Sequence, residues 1–123
     1  MKILKASAVL VCMIWAIEVH SQTIPFDSQR WKIEGKEKKI EEHLGRQSLY
    51  LQSGAAVIQD SEFTDGVIEF DIAFGPERGF MGAFWRMQDR ENYEEFYVRP
   101  HQSGNPDANQ YQPVFHDVAA WQL

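Results

Sequence analysis

Three apolar runs lie end to end across residues 66–99: GVIEFDIAF, GFMGAFWRM and NYEEFYVR, separated by two short polar breaks. In the first, Ile68, Phe70, Ile72 and Phe74 alternate with Val67, Glu69, Asp71 and Ala73. Period-two alternation sends one set of side chains to each face of a β-strand, here one apolar face and one carrying carboxylates. The breaks GPERG and QDRE carry the turn residues that fold successive strands back antiparallel. The stretch predicts a three-strand meander with one greasy face, which is half of a β-sandwich. Function then rests on what the other face presents.

The flanking segments read as short strands and turns. Trp31, Lys32 and Ile33 open a first strand, Gly35 marks a turn in the charge-dense run 34–39, and residues 40–44 fit either a strand or one helical turn. Gly45 and Arg46 make a hairpin turn into the alternating run 48–52; Ser53 and Gly54 break it before a short apolar segment at 55–58. Residues 60–66 form a turn with one buried aromatic, Phe63. Residues 100–110, PHQSGNPDANQ, are a loop, with two prolines, one glycine and three Asn or Asp residues. Such a length inside a compact β-domain approaches that of functional or disordered loops. Residues 111–115 are a further strand, and 119–123 begin another. No amphipathic helix and no internal repeat follow residue 21.

Residues 1–21 place Lys2 and Lys5 ahead of an apolar run at 6–17 and a polar break at Glu18, the layout of a secretory signal peptide. The run is short for a membrane span, although a short anchor is the alternative. Val11 is not the small residue that a lipoprotein site prefers before its cysteine, so lipidation at Cys12 is not expected. Cleavage would leave a domain of residues 22–123, secreted or periplasmic and free of membrane. Its ten basic and seventeen acidic residues give a net charge of −7, against −6 for the whole chain. An acidic domain without a long basic run is a poor partner for nucleic acid. Cys12 is the only cysteine, so the mature domain has no disulfide and no thiolate chemistry. Trp121 and Leu123 end the chain on a strand that needs a neighbour. Sandwiches often reach about 200–250 residues, so the expectation is an N-terminal portion of a larger domain, truncated at its C-terminus. A complete sandwich of about 100 residues is the alternative.

Three groups of residues offer chemistry. Glu69 and Asp71, two apart on one strand, share a face at roughly 6–7 Å; retaining glycosidases use two carboxyl groups about 5–5.5 Å apart. They are the candidate catalytic residues, or else groove lining. On the neighbouring strands, Met81, Ala83, Trp85, Met87, Phe96 and Val98 are expected to point inward. Phe80, Gly82, Phe84, Arg86, Tyr93, Glu95, Tyr97 and Arg99 then point outward. Phe84, Arg86, Tyr93, Glu95, Tyr97, Arg99 and His101 form the candidate ligand-binding set. Rings stack on sugar C–H faces while Arg and carboxylates fix hydroxyls. In the long loop, Asn105 and Asp107 offer oxygen ligands to calcium, or else form Asx turns. His101 and His116 lack the spacing of a zinc pair.

The run F-x-D-G-x-I-E-F-D at 63–71, with the aromatic-rich G-A-F-W-R and D-x-x-N-Y that follow, resembles the concanavalin A-like lectin/glucanase superfamily. Residues 92–107 strengthen the likeness, which is nearest to the laminin G-like and 3-keto-disaccharide hydrolase type domains of secreted bacterial proteins. The resemblance covers residues 31–123. It implies an all-β jelly-roll sandwich whose concave sheet binds glycan, and a chain lacking the C-terminal strands of such a domain. Laminarinase-type enzymes of the superfamily carry E-x-D-x-x-E; here the frame is Glu69-x-Asp71-x-x-Phe74, and phenylalanine cannot act as acid/base. The expected function is glycan binding. A glycoside hydrolase acting on 3-keto-disaccharides or related glycans is the first alternative, and a structural or adhesion module the second.

Overall fold

The computed structural model describes residues 21–120, so the expected signal segment, apart from Ser21, and the terminal residues 121–123 lie outside the described residues. The chain divides into two compact units, Met1–Ile58 and Gln59–Leu123. Both are all-β in their described parts, with one antiparallel sheet each and a single 3-10 turn at Pro100–Gln102.

The first unit is a long hairpin of β1 (Trp31–His43) and β2 (Arg46–Ile58). Leu44 and Gly45 form its two-residue loop at φ 50° and 76°, the positive pair of a type I′ turn. The turn expected at Gly45 and Arg46 falls one residue earlier, at Leu44 and Gly45, and Arg46 opens β2. Gly35 is not a turn, and Ser53 and Gly54 do not break the second strand; both strands run through. Gly35 and Gly54 face each other across the ladder, and a Cβ on Gly54 would fall inside the Glu34 carbonyl and the Gly35 Cα. These glycines mark a close backbone approach instead of a chain reversal. Residues 40–44, which by sequence fit either a strand or one helical turn, continue β1 as far as His43. The open end packs Phe26 on Trp31, at 5.7 Å between centroids, and Trp31 Nε1 donates to the Pro25 carbonyl at 3.0 Å.

The second unit is a meander, β3 (Met81–Asp89), β4 (Asn92–Val98), β5 (Asn109–Phe115) and β6 (Val118–Ala119), in that spatial order. The β3–β4 turn is closed by Asp89, whose Oδ1 accepts from the Glu91 N–H and from Asn92 Nδ2, both at 2.8 Å. The β5–β6 turn places His116 and Asp117 at φ 51° and 62°, a second I′ pair. Pro113 lies within β5, yet its ladder stays whole toward β4. Its carbonyl accepts from Ala120 N at 2.9 Å, so the missing N–H also points toward the short edge strand β6.

The expected first strand of the meander is absent. Residues 66–75 alternate as a strand would, but no ladder forms along them. Phe70, Ile72 and Phe74 lie beside Val98, Pro100 and Ala108, lining a depression of about 400 Å³. Apolar side chains can cover their neighbours without backbone pairing, and alternation alone does not distinguish the two. The expected strand at 111–115 is present within β5. Tyr97 and Val114 are the buried hydrophobic side chains among the described residues.

Candidate functional site

Residues paired across an antiparallel ladder share a face. The register sets Gly82, Tyr97 and Gln110 in one row, Phe84, Glu95 and Gln112 in the next, and Tyr93 and Val114 beyond. One face of the sheet therefore gathers Phe84, Tyr93, Glu95 and Tyr97, with Arg99 one alternation further along β4. Five of the seven expected ligand-binding residues are together here.

The face is closer than an open sheet surface. Tyr97 is only 6% exposed, whereas Phe96, expected inward, is 42% exposed on the opposite face. Inward and outward are thus reversed for this pair. Gly82 makes room for it, because a Cβ there would strike the Phe96 carbonyl and the Tyr97 Cα. Tyr97 donates from its hydroxyl to Gln110 Oε1 at 2.6 Å. Phe80 stands edge-on to Tyr97, at 5.5 Å between centroids and 66°, and edge-on to His101 at 6.2 Å and 70°. Phe84 meets Tyr93 in the same manner at 6.0 Å. The Arg99 guanidinium lies 5.9 Å from the centroids of both Phe80 and Tyr97.

Phe80, Met81, Glu95, Tyr97 and Gln112 enclose a shallow depression of about 250 Å³. Glu95 is half-buried, and burial holds its carboxyl above the ordinary carboxylate value. No hydrogen bond or ion pair from a described residue reaches that carboxylate. Burial likewise raises Tyr93 and Tyr97, with the Glu95 charge adding to each. His101, on the 3-10 turn beside Phe80, keeps a buried Nδ1 with no hydrogen-bond partner among the described residues. Phe80 and Gln112 were not in the expected site. The alternation of Gln110 and Gln112 with Tyr111 in NQYQPVF would have placed both glutamines on the face of Tyr97.

Arg86 is a correction. A bulge between Trp85 and Asp89, with Arg86 at φ 49°, turns its side chain to the opposite face. There Nη1 donates to Glu94 Oε1 at 2.9 Å and Nη2 to the Thr64 carbonyl at 2.7 Å. Tyr111 donates to Glu94 Oε2 at 2.9 Å, and Trp85 stacks on Tyr111 at 6.0 Å. The Arg86 and Tyr111 bonds hold Glu94 below the ordinary carboxylate range. This cluster ties the 60–66 turn to β3 and β4, a structural task.

Glu69 and Asp71 are exposed on segment 66–75, along which no ladder forms, and line neither depression. The shared strand that was to set their spacing does not form. Asp107 is engaged by Arg99, with Nη2 at 2.9 Å from Oδ2 and Nε donating to its carbonyl at 2.8 Å. Asn105 Nδ2 donates to Gln102 Oε1 at 2.8 Å. The loop is thus closed by its own side chains, and no group of three His, Cys, Asp or Glu gathers among the described residues. Among those residues no helix is long and apolar enough to cross a membrane.

No family model, no curated protein and no solved structure matches the chain.

Proposed function

We propose that the protein binds glycan on the β3–β5 face that carries Phe80, Phe84, Tyr93, Glu95, Tyr97 and Gln112. The observation that carries this reading is the depression itself. An exposed phenylalanine ring, a carboxylate with no donor among the described residues and a buried glutamine converge in one place. Sugar rings present apolar C–H faces and hydroxyl donors together, and this wall offers a partner to each. Ligand pockets commonly hold about 300–1,000 Å³, so the smaller volume here suits a single sugar ring of a longer chain. Binding is favoured over glycoside cleavage, which takes two carboxyl groups flanking the bond. Glu95 is the one carboxylate among the described residues that line the depression.

The same proposal takes the antiparallel sheets as parts of a concanavalin A-like jelly-roll sandwich, supported by their period-two faces and hairpin connections. It takes the protein as secreted, on the lysines and apolar run of residues 1–21. Glycan-array binding followed by affinity electrophoresis tests the function. Phe80→Ala is expected to weaken sugar binding on the order of tenfold, equivalent to about 1.4 kcal/mol. Unchanged affinity for every retained glycan would place binding elsewhere.

A further inference from the structure

We infer that the sugar taken by this face is an amino sugar with a free, protonated amine, its ammonium seated against the Glu95 carboxylate. This rests on the glycan-binding reading and narrows its ligand. Glu95 stands beside Phe84, its cross-strand partner, with Tyr93 and Tyr97 before and after it on the same face of β4. A half-buried carboxylate lined by rings favours a cation over a neutral hydroxyl, for two reasons. Hydrogen bonds between ionised partners are about twice as strong as neutral ones. Aromatic faces add their own attraction for an ammonium. Arg99, a cation on the same face, has its guanidinium engaged by Asp107, with Nη2 at 2.9 Å from Oδ2 and Nε donating to the Asp107 carbonyl. Gln112 adds an amide for a neighbouring hydroxyl. The net charge of −6 draws a polycationic glycan toward the protein as a whole.

Three β-1,4-linked oligosaccharides of equal length isolate the C2 substituent: glucosamine (amine), N-acetylglucosamine (acetamide) and glucose (hydroxyl). Calorimetric titration of the full chain with each, near neutral pH and at two salt concentrations, is the test. The glucosamine oligomer is expected to bind tenfold or more tightly than the other two, with Glu95→Gln erasing the preference. Phe80→Ala should weaken binding of the glucosamine oligomer without removing its advantage over glucose. Circular dichroism establishes that both variants are folded. Equal binding of all three oligomers would overturn the amine assignment and leave glycan binding standing. Absence of binding to any glycan, on the array or by titration, would overturn both. A preference that survives Glu95→Gln would show attraction by overall charge, and would overturn the role of Glu95.

Discussion

Glu95 sets a pH dependence whose sign follows from its surroundings. Its folded pKa lies above the unfolded value of about 4.3, because burial penalises the charged form. The folded state therefore holds the proton more tightly, and stability declines as pH rises from about 4.3 through the folded pKa. Glu95→Gln should flatten that decline and raise the melting temperature at neutral pH, as read by thermal unfolding across a pH series. Asp89 has the opposite sign. Its bonds from Asn92 and from the Glu91 backbone lower its pKa. The stabilisation they give is present above the unfolded value and lost as pH falls through the folded one. Loss of the β3–β4 turn on acidification, seen as faster amide exchange at Glu91 and Asn92 relative to an Asp89→Asn control, is the expected outcome. Tyr97→Phe removes the hydroxyl bond to Gln110, and denaturant titration should show a cost of about 0.5–1.5 kcal/mol.

The strands take their shape from turns and close approaches as much as from apolar patterning. Leu44 is 90% exposed at φ 50°, bearing a conformation that disfavours a branched side chain and receiving no burial in return. Leu44→Asn creates the Asn-Gly pair that type I′ turns favour and should stabilise the first hairpin by about 0.5–1 kcal/mol in equilibrium unfolding. Gly82→Val forces a side chain into the β4 backbone behind Tyr97. A loss of about 1–3 kcal/mol is expected, together with loss of ligand binding, since Tyr97 and Phe80 would shift together. The Leu44 change, which lies in the other unit, should leave binding untouched.

At the scale of the molecule, the described residues hold much apolar surface at or near water. Ile68, Phe70, Ile72 and Phe74 are all exposed on segment 66–75, as are Phe96, Phe115 and Val118 on the meander. Contiguous apolar patches drive association, and an edge strand such as β3 offers unpaired backbone groups to a second chain. Sedimentation velocity should show concentration-dependent self-association. Phe70→Lys combined with Phe74→Lys should weaken it on the order of tenfold, from the apolar area removed. A monodisperse wild-type protein across the concentration range would contradict this.

Much of the architecture was legible in the residues alone. Alternation in NYEEFYV identified β4 and sorted Tyr93, Glu95 and Tyr97 onto one face, because side-chain direction in an extended chain has period two whatever the partner; residues 111–115 read as a strand, whereas Asn109 and Gln110, read as loop, open β5. Gly45 announced a hairpin because few other residues accept its φ. Pairing is another matter, since it depends on which backbone lies alongside. Residues 67–74 alternate as cleanly as β4, yet no ladder forms along them; Gly35 and Gly54 read as breaks until each is seen as the other's neighbour. Arg86 has the outward parity of Phe84, and a single bulge sends it to Glu94 on the opposite face. Local chemistry thus decided which residues are extended and which share a face. Only the tertiary structure decided which strands pair, which face is buried, and that Glu95 stands in a depression with Phe80 and Gln112, because these depend on contacts between residues far apart in the chain.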